Sequence, residues 1–158
     1  MEKDKNYFNQ KGKKAENILY YLAKKTFLVD WCYLNPELPN KNELCDLLVV
    51  YDEIAIIWQI KDLKLNKQGK YDQSEVEKNL RQLSGARRQL FDLETPIELE
   101  NPFRRKEVFN PNTIKEIYLI SVLFGKGEEM SSFVEEIKKY KVHVFDQDFT
   151  QVVLNELV

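Results

Sequence analysis

The chain has 158 residues, 43% of them hydrophobic and 32% charged, with 24 basic against 26 acidic side chains and a formal charge of −2. That length suits one domain with a core on both faces of a sheet, and the balance excludes a disordered chain and a uniformly basic nucleic-acid wrapper. The longest apolar runs, residues 47–50 and 54–58, are too short to span a bilayer. The opening Met1-Glu2-Lys3-Asp4-Lys5 lacks the apolar stretch of a secretory signal, so a cytoplasmic protein without membrane partners is expected.

In chain order, Ala15, Ile18, Leu19, Leu22, Ala23 and Thr26 repeat at the helical period and predict a first helix over residues 12–27. A strand over 28–34 follows, closed by the turn-rich Asn35-Pro36-Glu37-Leu38-Pro39-Asn40. Two apolar strands, 44–51 and 53–61, then abut at Asp52 and read as a tight hairpin. Both faces of that hairpin are apolar, which requires helices above and below the sheet. After a lysine-rich loop, the Ser74 to Glu77 spacing of a capping box opens a second helix to about residue 93, with the stripe Val76, Leu80, Leu83, Ala86 and Leu90. Residues 94–111 are irregular. A buried-type strand over 117–123 ends at Gly125-Lys126-Gly127, and a helix over 128–140, a strand over 142–145 and a final helix from about 149 complete the chain. The expected class is α/β with a mixed central sheet flanked by helices, in the order α-β-β-β-α-β-α-β-α. The reading is a single domain over 1–158, with a core over 12–124 and an α-β-α extension over 125–158.

The chemistry must be found among carboxylates, amides and lysines. Two cysteines, Cys32 and Cys45, and one histidine, His143, are too few for a zinc cluster or a histidine-based triad, and they read as core thiols and a strand histidine. Asp46 is the misfit in the second strand, on the face of Leu44, Leu48 and Val50. Gln59 and Lys61 share one face of the third strand. Hairpin pairing carries all three to the end of the sheet away from Asp52, where buried charge calls for compensation. A structural alternative is an Asp46–Lys61 ion pair with Gln59 capping a backbone group.

Asp46 followed by Gln59-Ile60-Lys61 resembles the PD-(D/E)XK, or restriction-endonuclease-like, nuclease superfamily, in the Gln-x-Lys variant of Mrr-like restriction enzymes. Leu44-Cys45 stands where that motif has a proline before the aspartate, and Gln59 replaces its acidic residue. The family core of helix, three-strand meander, helix and strand matches residues 12–124. The resemblance implies an endonuclease that hydrolyses DNA phosphodiester bonds with Mg²⁺, or Mn²⁺ in its place, in restriction, phage defence or DNA repair. Its alternative is a degenerate nuclease fold that binds nucleic acid or protein.

Such hydrolysis needs hard oxygen ligands for the metal and a cation beside the phosphate. Asp46 is the principal expected ligand, joined by the Gln59 amide oxygen and the Ile60 carbonyl, with Lys61 orienting the water and stabilising charge on the phosphate. A neutral Gln59 leaves the set one charge short. Glu16, flanking the first helix's apolar stripe, is expected to supply it, and the resemblance places a glutamate on that helix too; Glu43 is the second choice. Basic side chains at Lys11–Lys14, Lys64, Lys67, Lys70, Arg104 and Arg105 are expected to attract the backbone of double-stranded DNA. Arg87 interrupts the second helix's stripe and is assigned either a phosphate, a site carboxylate or a snorkelling role. Cutting both strands calls for two sites, which suits a homodimer or a larger defence or repair complex.

Overall fold

The computed structural model describes residues 2–27, 29–63, 65–93, 96–125 and 134–156. Helix α1 (Glu2–Thr26) leads through a 3₁₀ turn (Val29–Trp31) into strand β1 (Cys32–Leu34), then β2 (Leu47–Tyr51), β3 (Ile54–Asp62) and helix α2 (Gln73–Phe91). A small pair, β4 (Glu98–Leu99) and β5 (Glu107–Val108), precedes β6 (Glu116–Phe124), β7 (Val134–Ile137), β8 (Tyr140–Asp146) and α3 (Gln147–Glu156). The main sheet has six strands in the order β1-β2-β3-β6-β8-β7. β3 pairs parallel with β6, and β6 parallel with β8, while β1-β2, β2-β3 and β7-β8 are antiparallel. The fold is therefore mixed α/β, and no helix among the described residues is long and apolar enough to cross a membrane.

The double-sided apolar pattern of β2 and β3 has its reason in two helical layers. Leu48, Ile57, Leu119, Leu123, Val142 and Val144 point to α2, where Val76, Leu80, Leu83, Ala86 and Leu90 meet them. Leu47, Val49, Trp58, Ile120 and Val122 point the other way, to Ala15, Leu19 and Ala23 of α1 and Leu154 of α3. Each fully buried leucine on these faces is worth about 1.5–3 kcal/mol relative to exposure. The Thr26 hydroxyl donates to the Leu154 carbonyl at 2.8 Å and ties the end of α1 to α3.

The structure departs from the sequence expectations in particular places. Residues 28–34 give only three ladder residues, because the 3₁₀ turn takes up 29–31. α2 begins at Asp72 rather than Ser74: the Asp72 carboxylate accepts from the Ser74 backbone N–H at 2.9 Å and from its hydroxyl at 2.7 Å. That satisfies one of the orphan donors at the helix start. α3 likewise starts earlier than expected, capped by Asp146, which accepts from the Phe149 N–H at 2.6 Å.

The largest correction concerns the helix expected over 128–140. Residues 126–133 lie outside the described residues, but 134–137 form β7, which turns through Lys138-Lys139 and pairs antiparallel with β8. Val134 and Ile137 carry a helical i,i+3 spacing, yet both are β-branched, and the edge of β8 offers them a ladder to pair with. Lys138 adopts a left-handed φ of 58° at this turn.

Candidate functional site

Strands β2 and β3 part where the candidate site begins. The sequence pattern starts the second strand at residue 44, but the β2-β3 ladder runs only from Tyr51↔Ile54 to Leu47↔Trp58. Residues upstream turn to the β1 side instead: the Asn35 N–H donates to the Asp46 carbonyl at 3.0 Å, and the Leu44 N–H to the Pro36 carbonyl at 2.8 Å. Asp46 therefore precedes β2, at the register position directly across from Gln59. Its side chain replaces the broken ladder. Asp46 Oδ2 accepts from the Gln59 side-chain amide at 2.7 Å and from the Ile60 backbone N–H.

Asp46 and Gln59 are both buried, at 5% and 7% exposure. They floor a cleft of about 480 Å³ walled by Glu16 from α1, Leu38, Asn42, Glu43 and Leu44 from the turn-rich segment, and Gln82, Gly85, Ala86 and Gln89 from α2. Glu16 is positioned by Asn35, whose Nδ2 donates to Glu16 Oε2 at 3.4 Å. Behind Gln59, the fully buried Asn79 of α2 donates through Nδ2 to the Gln59 carbonyl at 3.2 Å and to the Ser121 hydroxyl at 2.7 Å. The floor is thus pinned from strand and helix together.

The electrostatics of this floor disfavour the ionised form of Asp46. Burial pushes the Asp46 carboxyl up to about 8; the Ile60 N–H opposes that shift, and a hydrogen bond to the Glu43 carboxyl with the charges of Glu43 and Glu16 adds to it. Oxygen donors of Asp46, Glu16, Glu43 and Gln59 are hard ligands, chemically matched to Mg²⁺ or Mn²⁺. Among the described residues, no three Cys, His, Asp or Glu side chains are drawn together tightly enough to hold a metal ion. The Gln59 amide directs its nitrogen at Asp46, which leaves its oxygen as the group available to a ligand. Ile60 offers its N–H to Asp46, and because N–H and C=O of a strand residue share a side, its carbonyl faces the same parted edge.

Lys61 stands differently from its expected place. It follows Gln59 on the same face, but its ammonium pairs with Glu75 in the first turn of α2 at 3.0 Å, and it does not line the cleft. The structural alternative, an Asp46–Lys61 ion pair, is not what forms: each group has other partners.

The basic residues also separate. Lys67 and Lys70 are exposed in the loop after β3, at the Gln59 end of the sheet, while Lys64 lies outside the described residues. Arg104 pairs with Glu107 at 3.1 Å and stacks 4.3 Å over Trp31, whose ring meets Tyr51 at the hairpin end. Arg104 and its exposed neighbour Arg105 therefore belong to the opposite end of the sheet from Asp46. Arg87 touches neither cleft nor carboxylate floor: it pairs with Asp92 at 2.8 Å and stacks 4.0 Å over Tyr140.

Cys32 and Cys45 are buried thiols, and burial holds both above the usual thiol range, so neither is a poised nucleophile. His143 lies between the rings of Tyr118 and Phe145, as a strand histidine should. Sequence reasoning missed the exposed Gln82 and the half-buried Gln89, because polar residues off the apolar stripe of a helix carry no periodic signal. No protein-family model, curated protein or solved structure matches the chain.

Proposed function

We propose that the chain is a divalent-metal-dependent endonuclease of the restriction-endonuclease-like kind, acting on DNA, with a role in restriction, phage defence or repair implied by the resemblance. One observation carries the reading. Asp46 and Gln59 sit buried and face to face where two strands part, under a cleft that adds Glu16 and Glu43. A buried carboxylate beside two further carboxylates is costly to ionise even with its two hydrogen bonds, and a cation would offset that charge. The element order α1-β1-β2-β3-α2-β6 supports the same reading.

Asp46 would hold the ion with the Gln59 oxygen and the Ile60 carbonyl as neutral donors, while Glu16 and Glu43, too far apart in this structure to close a shell with it, would add negative charge from the cleft walls. When bound, such an ion polarises a phosphate oxygen and makes water a stronger nucleophile. The chain's own contribution is positional. Asn79, itself bonded to Ser121, holds the Gln59 backbone carbonyl from behind, Asn35 holds Glu16, and Gln82 and Gln89 offer neutral hydrogen bonds to a substrate backbone. Lys61, held by Glu75 at 3.0 Å, reaches a phosphate only by leaving that partner.

That last fact favours a second reading, a non-catalytic nucleic-acid-binding module. Single-turnover cleavage of a labelled duplex separates the two. The nuclease reading expects cleavage with Mg²⁺ or Mn²⁺, none in EDTA, and a loss of about 10²-fold or more in Lys61→Ala. Binding without metal-dependent cleavage would establish the second reading instead.

A further inference from the structure

On the other flank of α2 from the Asp46 cleft lies a smaller one, of about 310 Å³, formed by Ser84, Arg88 and Asp92 of the helix and Lys138, Lys139 and Tyr140 of the β7-β8 turn. Its charges do not cancel internally. Asp92 is already matched by Arg87 at 2.8 Å, and Arg87 in turn braces the floor by stacking 4.0 Å over Tyr140. Lys141, next along β8, stands across from Glu136 in the ladder. Arg88, Lys138 and Lys139 remain, all exposed and without a carboxylate partner among the described residues.

A second observation points to a ligand. The β7-β8 hairpin turns through Lys138-Lys139, and Lys138 holds a left-handed φ of 58°. Turns of this kind favour glycine or asparagine, because a side chain with a Cβ pays a steric penalty there. The turn places Lys138 and Lys139 with Arg88 around one cleft.

We propose that this cleft binds a phosphodiester group of a nucleic-acid backbone. Arg88 supplies a fork that matches two phosphate oxygens, and the lysines supply point charge. The ligand's identity as nucleic acid rests on the nuclease reading, whereas the anion chemistry of the cleft does not. The two clefts lie on either side of one helix, so a strand bound at Arg88 crosses α2 before reaching Asp46.

The test is fluorescence anisotropy with a labelled DNA duplex in EDTA at several salt concentrations, run beside metal-dependent cleavage of the same duplex. Lys138→Ala with Lys139→Ala is expected to weaken binding about tenfold and to flatten the salt slope by about two counterions. Arg88→Ala is expected to weaken it similarly. Lys138→Gly removes the charge and the strain together, so it is expected to raise the melting temperature while lowering affinity. Competition by inorganic phosphate at concentrations that merely match the ionic-strength effect of chloride assigns the site to backbone rather than free phosphate; stronger competition overturns the backbone assignment. Wild-type affinity in both the double-lysine and Arg88 variants overturns the cleft proposal even if the duplex is cleaved. Weakened binding in those variants without any cleavage upholds the cleft and rejects the nuclease reading.

Discussion

Asp46 is the residue on which the account turns, and its environment makes a prediction that needs no substrate. An ordinary aspartate titrates near 3.9, roughly as it does in the unfolded chain, whereas burial and the neighbouring Glu43 and Glu16 hold Asp46 at about 8 in the folded protein. The native state thus keeps a proton that the unfolded state has already lost. The stability this contributes is fully present below about pH 4 and is lost as pH rises toward 8, at up to about 1.4 kcal/mol per pH unit. Urea unfolding in EDTA across that window should show wild type weakening with pH, and Asp46→Asn should flatten the slope. Parallel profiles for the two proteins would mean that Asp46 is ionised without strain.

At the scale of elements, two glycines set opposite expectations. Gly125 ends β6 with a φ of 130°, and a Cβ there would stand 2.6 Å from the Leu63 carbonyl oxygen, which is backbone and cannot give way. The same glycine's carbonyl accepts from the Tyr71 hydroxyl at 2.9 Å, so it locks the exit of β6 to the entry of α2. Gly125→Ala should cost about 2 kcal/mol or more in denaturant unfolding. Gly85, in the middle of α2, meets nothing within 4 Å, yet it lines the Asp46 cleft. Gly85→Ala should stabilise the helix by about 0.5–1 kcal/mol in the same unfolding measurement. A destabilising Gly85→Ala would show that the helix there is packed more tightly than its surroundings indicate.

Elements with strong periodicity were legible in the chain itself. The stripes of α1 and α2 and the double-sided strands β2 and β3 declare their burial, and Asp52, at a left-handed φ of 52°, sits where the hairpin was expected. β7 was not legible, because four residues with two β-branched side chains spell helix and strand equally well until a neighbouring edge decides. The end of the β2 ladder was hidden for a related reason: local pattern does not report which neighbour a strand leaves. Asp46 and Gln59 were found by their misfit among apolar residues, and Glu16 by its place beside a stripe. Lys61 was assigned to the same cleft because a period of two fixes only its face. The pull of Glu75, from a helix whose start was read two residues late, lay outside that logic.

For the whole molecule, the sheet serves as a frame whose β2-β3 ladder opens ahead of Leu47. Two helical layers close both faces, and the cleft appears only where β1 draws residues 44–46 away from β3. The central claim is that this opening seats a divalent cation. It is tested most directly by calorimetric titration of Mn²⁺ into wild type and Asp46→Ala at pH 8, with folding of both checked by thermal melting. The account predicts saturable binding by wild type, a melting temperature that rises with Mn²⁺ as mass action requires, and loss of both in Asp46→Ala. Equal heats and equal melting temperatures for the two folded proteins at every Mn²⁺ concentration would contradict it.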